Sequence, residues 1–172
     1  MHPSNLAPAL WALDASVHLL GPKGAKELPM ADFFMSPDED VRREVRVEDG
    51  EIITGVSFAP LADRSGSSYV EVREKESYDW ALVNAAVRID SADASVSDVR
   101  IIVSAVAPTP LRVTAAERLL KGQKVSEELA WKAGRAATEG AQPLSQNGYK
   151  VKLLEACVAH AVQTAWSRSL GR

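Results

Sequence analysis

Apolar residues in this chain follow a short, β-branched rhythm over the first hundred or so positions and a helical rhythm thereafter. The opening segment NLAPALWALDA predicts a short helix, with Asn5 as its N-cap and Pro8 in the first turn. SVHLLGPKGAKELPM predicts two strands around the turn Gly21–Gly24. The polar stretch ADFFMSPDEDVRREVRVEDG reads as a loop anchored by Phe33 and Phe34, and EIITGVSFAP as a strand ended by Pro60. LADRSGSS, residues 61–68, reads as a boundary because glycine and serine cluster there. Three strand segments follow, YVEVREK, WALVNAAVRID and DVRIIVSAVAP, the last two joined through SADASVS as an antiparallel hairpin.

From Thr114 the spacing changes to that of helices. VTAAERLLKG carries a capping-box pattern, Thr114 with Glu117, and Gly122 as a stop. SEELAWKAGRAATEG places Leu129, Ala130, Ala133 and Ala137 on one side, with Gly140 as its stop. The longest helix runs through GYKVKLLEACVAHAVQTAWSRSLG, with an apolar stripe of Val151, Leu154, Val158, Ala161, Val162, Ala165 and Trp166. Three strands followed by three helices predict an α+β fold, a three-stranded antiparallel sheet packed on a three-helix bundle.

Composition narrows the function classes. Hydrophobic residues make up 46% of the 172 and charged residues 25%, with a formal net charge of −3, which suits a globular protein and gives no basic footprint for nucleic acid. The single cysteine, Cys157, excludes an internal disulfide and lies in an apolar helical context where cysteine serves as a small core residue. No apolar run reaches the length of a membrane span and the N-terminus lacks the pattern of a signal peptide, so the expected location is cytoplasmic. The histidines His2, His18 and His160 fall in different elements with no ligand spacing, which argues against zinc. The sequence has neither a glycine-rich phosphate loop nor a nucleophile elbow. The residues alone therefore describe an α+β protein without a self-contained active site.

One stretch, REKESYDWALVNAAVRID, sets Ser-Tyr-Asp-Trp between a charged run and a buried strand. It resembles a segment of the FAD-binding middle subunit of the xanthine dehydrogenase and carbon monoxide dehydrogenase (molybdenum hydroxylase) family. Three more stretches are similar to that family in the same order: LAPALWALDASVHLLGPKGAKELPMADFF, EDGEIITGVSFAP and VRIIVSAVAPTPLRVTAAERLLKG. Together they cover nearly the whole chain. The resemblance implies that residues 1–66 are a partial second lobe of the FAD-binding domain and residues 67–172 the C-terminal domain. It implies a first lobe, with the turns that hold the pyrophosphate, that would lie before Met1 and is either supplied by another polypeptide or missing from this sequence. The implied role is electron transfer, from iron–sulfur clusters to FAD, alongside an iron–sulfur subunit and a molybdenum-cofactor subunit. The alternative is a flavin-free docking module of the same complex.

The resemblance also assigns candidate cofactor-binding residues. Asn5 stands where the family has an aspartate that contacts FAD, and Glu71 where it usually has a lysine near the isoalloxazine. Ile53 matches an aliphatic residue packed on the flavin, and Lys75 can replace a nearby basic group. Asp79 has two readings, a carboxylate that fixes the chain at the flavin edge or a turn aspartate with Trp80 as core filler. A lysine-to-glutamate change reverses a charge near an electron-rich ring, so the expectation is weak or absent FAD binding by this chain alone. A homo- or hetero-oligomer is expected as well, because Phe33, Phe34 and Trp11 would otherwise lie near open surface.

Overall fold

The computed structural model describes residues 2–76 and 78–171. Helix α1 (Leu6–Ala12) leads into strands β1 (Ser16–Gly21) and β2 (Gly24–Pro29), a four-residue helix α2 (Met30–Phe33) and strand β3 (Ile52–Ser57). These strands form an antiparallel sheet in the order β2-β1-β3. Strands β4 (Ser65–Val72), β5 (Val83–Ala92), β6 (Ser95–Ser104) and β7 (Leu111–Arg112) form a second antiparallel sheet in sequence order. Helices α3 (Thr114–Leu120), α4 (Glu127–Ala136) and α5 (Tyr149–Ser169) complete the chain. The α+β expectation holds, and the second sheet gains a two-residue fourth strand that the sequence reading did not include.

The larger sheet carries the main core. Alternate residues of β5, namely Val83, Ala85, Val87 and Ile89, join Val99, Ile101 and Val103 of β6 against Ala130, Ala133, Val158, Val162 and Trp166 from the helices. Two glycines let backbones approach closely here. A Cβ on Gly66 would stand 2.0 Å from the Ala165 carbonyl oxygen, so β4 lies directly against α5. A Cβ on Gly134 would stand 2.3 Å from the Glu155 carbonyl oxygen, which sets the closeness of α4 and α5. Cys157 is buried in this core; burial pushes its thiol up to about 12, as expected of a packing residue rather than a nucleophile.

Several local expectations are corrected by tertiary context. SGSS of the predicted boundary is strand, since β4 begins at Ser65. Asn5 occupies the N-cap of α1 without a side-chain bond; the Ala7 amide donates instead to Ser4 Oγ at 3.1 Å. The capping box on α3 does not form. The Glu117 carboxylate turns to the sheet, accepting from the Ile101 amide at 3.0 Å and from Arg112 Nε and Nη2 at 2.9 Å each. A buried amide at the β6 edge and a guanidinium outweigh one local cap. Helix α4 stops at Ala136, short of Gly140, and is capped by Ser126, whose Oγ accepts from the Leu129 amide.

Phe33 and Phe34 are not near open surface. They are buried with Ala7, Val17, Leu19 and Met30, and the half-buried Trp11 stacks on Phe34 at 6.2 Å between ring centroids. The reasoning from these three aromatics to an oligomer therefore loses its basis. Open apolar surface lies elsewhere, on β3.

Candidate functional site

The polar residues of the larger sheet follow a simple rule of faces. Odd-numbered β5 residues meet the helices, and even-numbered ones point to the opposite face, where Ala86 and Ile102 meet Ala12 of α1. On this second face Glu71, Asn84 and Ser104 stand side by side across β4, β5 and β6. Ser104 Oγ donates to the His2 carbonyl at 3.2 Å. Asn84 is fully buried, yet neither atom of its amide has a hydrogen-bond partner among the described residues. Such a group costs free energy unless something meets it. Sequence reasoning passed over Asn84, although a lone amide inside ALVNAAV was a readable signal.

Glu71 is already engaged. Its Oε1 lies 2.7 Å from Arg73 Nη2, and its Oε2 accepts from the Tyr69 hydroxyl at 3.1 Å. Burial, then the charge and hydrogen bond of Glu71, push the Tyr69 hydroxyl well above the usual phenol range. Asp79 organises the loop that follows. Its Oδ2 accepts from the Glu74 and Lys75 amides at 3.1 and 3.0 Å, and its Oδ1 from the Trp80 amide at 3.0 Å. All three bonds are to local backbone, as in a turn aspartate. Trp80 is not core filler: it is 67% exposed, and Tyr78 beside it is fully exposed at a φ of +53°.

The five candidates are not gathered around one cavity. Glu71 and Lys75 line a depression of about 300 Å³ with Arg73, Glu74 and Glu76, which neither Asn5 nor Ile53 lines. Asn5 stands at the start of α1, and Ile53 belongs to the other sheet.

Ile53 has its own context. In antiparallel register Val17 faces Val56 and Leu19 faces Ile53, so these four share one face of the small sheet. Val17 and Leu19 are buried, whereas Ile53 is 53% and Val56 40% exposed. On the opposite face Leu20 meets Ile52, and they are 46% and 61% exposed. A β-bulge between His18 and Leu19 keeps this pairing in step. The small sheet thus has apolar residues on both faces of β3, and its core stops one strand short of them.

Two family models match the chain in tandem. Residues 67–165 match the CO dehydrogenase flavoprotein C-terminal domain, and residues 1–60 the FAD binding domain in molybdopterin dehydrogenase. The chain belongs to the CO dehydrogenase flavoprotein family. It is 29% identical over 172 residues to the carbon monoxide dehydrogenase medium chain of Hydrogenophaga pseudoflava, covering 97% of this chain and 58% of that one. It is also 29% identical over 167 residues to the FAD-binding subunit of an aldehyde oxidoreductase of Escherichia coli (strain K12), covering 95% and 48%. The solved carbon monoxide dehydrogenase of Hydrogenophaga pseudoflava superposes with a TM-score of 0.84 at 29% identity, over 95% of this chain and 60% of that chain. The chain spans about half the length of the curated relatives it matches.

FAD is the cofactor this family implies, and the residues present suit only part of it. The open aliphatic wall of β3 suits a flat apolar ring system. Glu71 near the end of β4, with Glu74 and Glu76 of the loop after it, gives three carboxylates against Arg73 and Lys75, a balance that does not favour a diphosphate. The described residues thus fit one side of the ring end of the cofactor and not its phosphates. Among the described residues no cluster of His, Cys, Asp or Glu could hold a metal, and no helix is long and apolar enough to cross a membrane.

Proposed function

We propose that this chain is the C-terminal portion of the FAD-binding electron-transfer subunit of a molybdenum hydroxylase complex. The observation that carries the reading is the tandem match, a FAD-binding domain over residues 1–60 followed by the flavoprotein C-terminal domain over residues 67–165. It supports dividing the chain into a second-lobe portion, residues 1–66, and a C-terminal domain, residues 67–172. When bound, FAD would supply the redox chemistry, receiving electrons that originate at iron–sulfur clusters. The chain's own part is to wall and position the ring. Ile53 offers apolar contact from the small sheet, while Asn5 at the start of α1 offers a neutral amide and Lys75 a cation on the loop that Asp79 holds in shape, each from a separate element. Its partners in this reading are an iron–sulfur subunit and a molybdenum-cofactor subunit.

A second reading is favoured by the engagement of Glu71 with Arg73 and Tyr69, which leaves the family's lysine position without a free cation. In that reading the chain is a docking module of the same complex with no redox role.

Flavin retention separates the two. The chain is purified alone, and again after co-expression with a polypeptide carrying the remainder of a medium-chain FAD-binding domain, and the visible flavin absorbance is read. Electron transfer predicts no stoichiometric FAD in the first sample and stoichiometric FAD in the second. A second sample that forms a complex but stays colourless would contradict it and favour the docking reading.

A further inference from the structure

Two neighbouring side chains of the larger sheet are unequally served. Glu71 and Asn84 are directly paired across β4 and β5, so their side chains leave the same face with Cβ atoms roughly 5 Å apart. The Asn84 amide is fully buried, and neither of its polar atoms has a partner among the described residues. The Glu71 carboxylate turns along its own strand instead, to the Tyr69 hydroxyl at 3.1 Å and to Arg73 Nη2, just past the end of β4, at 2.7 Å. A donor without an acceptor thus stands one side chain away from an acceptor directed elsewhere.

Energetics set two arrangements of this group close together. The side chains of Glu71 and Arg73 are 17% and 32% exposed, and an ion pair open to water contributes little. A buried amide N–H with no acceptor costs the full loss of its hydration. Turning the carboxylate inward to Asn84 Nδ2 relieves that cost, but it takes a charge out of water and away from the guanidinium. The outward arrangement therefore holds while Arg73 has nothing else to face. An electron-rich group entering the depression lined by Glu71, Arg73 and Lys75 shifts the balance, because it binds better to the arrangement with Arg73 released.

We infer that Glu71 alternates between Arg73 and Asn84, and that Arg73, once released, is the cation that faces the flavin ring. The part given to Arg73 rests on the function proposed above; the alternation stands on the geometry of the sheet. Reduction adds electrons to a flavin ring, and a guanidinium beside it offsets the negative charge that develops. Asn84 acts through Glu71 and does not touch the cofactor, which makes it a positioning residue. Without its amide the carboxylate has no donor to receive it and stays on Arg73.

The test begins with the chain alone, labelled with nitrogen-15 and read by NMR. The Asn84 side-chain signal is identified by its absence from Asn84→Leu. Arg73→Leu, at an exposed position and so compatible with folding, releases Glu71, and the Asn84 N–H signal should move downfield, as an amide does on donating to a carboxylate. Adding Glu71→Leu should abolish that shift. A signal unmoved by Arg73→Leu would overturn the alternation, as would a shift that survives Glu71→Leu. The second arm uses the sample co-expressed with the remainder of a medium-chain FAD-binding domain. There Arg73→Leu and Asn84→Leu should each weaken flavin binding about tenfold. Glu71→Leu should restore binding to Asn84→Leu, because nothing then holds Arg73; a merely structural role for Asn84 gives no such rescue, and its absence would overturn the positioning role. Flavin separates this failure from failure of the functional reading. A shifted Asn84 signal with a colourless complex keeps the alternation and removes the electron-transfer role together with the part given to Arg73, whereas an unmoved signal with a yellow complex does the reverse.

Discussion

The two sheets of this protein use similar residues and reach opposite ends. In the larger sheet the valines and isoleucines of β5 and β6 are sealed under three helices on one face, and α1 covers part of the other. In the smaller sheet Val17 and Leu19 are sealed, while Ile52, Ile53 and Val56, one strand away, stand open. Aliphatic β-branched residues make a strand in both places; only packing decides whether that strand is core or surface. The larger sheet has its apolar residues covered from within the chain, and the smaller one leaves several of its own open.

The largest expected effect comes from forcing apart the finished half. Gly66→Ala places a methyl group 2.0 Å from the Ala165 carbonyl oxygen, so α5 must leave β4, at a cost of about 3 kcal/mol or more. Denaturant unfolding would show it as a large drop in midpoint. The comparison itself is read from a matched pair. Ile101→Ala, at a fully buried site, should cost about 2–5 kcal/mol. Ile53→Ala, at a half-open site, should change stability by no more than about 0.5 kcal/mol in the chain alone.

A smaller loss is expected from Glu117→Gln. It weakens the bonds to Arg112, whose guanidinium those same bonds hold above its ordinary range, and leaves the Ile101 amide with a poorer acceptor. The cost should be about 1–3 kcal/mol, measured by the same unfolding curve. A modest gain is expected at the hairpin turn. Asp93 and Ala94 turn the β5–β6 hairpin with φ of 49° and 59°, and Ala94 is exposed. Ala94→Gly relieves the left-handed conformation and should raise stability by roughly 0.5–1 kcal/mol in thermal melting.

How much of this was legible depended on whether local or distant forces ruled each residue. The two hairpins, the strand at residues 52–57 and the long helix were readable because alternation, turn chemistry and helical spacing agree there. The role of Glu117 was not: its spacing from Thr114 spells a cap, and only the folded sheet shows the Ile101 amide waiting for it. Phe33 and Phe34 looked like candidates for open surface, yet Trp11 and Met30 close over them across residues distant in sequence. At the candidate site the loop-fixing part of Asp79 could be anticipated from the sequence, while the exposure of Trp80 could not. Asn84 was hidden for the opposite reason: a polar side chain in an apolar strand is visible in the sequence, but its lack of a partner is visible only in three dimensions.

The contrast between a closed and an open sheet is tested most directly by amide hydrogen exchange on the monomeric chain alone. Amides of residues 83–92 should exchange only through global unfolding, and those of residues 52–57 through local opening, orders of magnitude faster. Equal protection of the two strands would mean that β3 is as fully secured as β5, and would contradict the account.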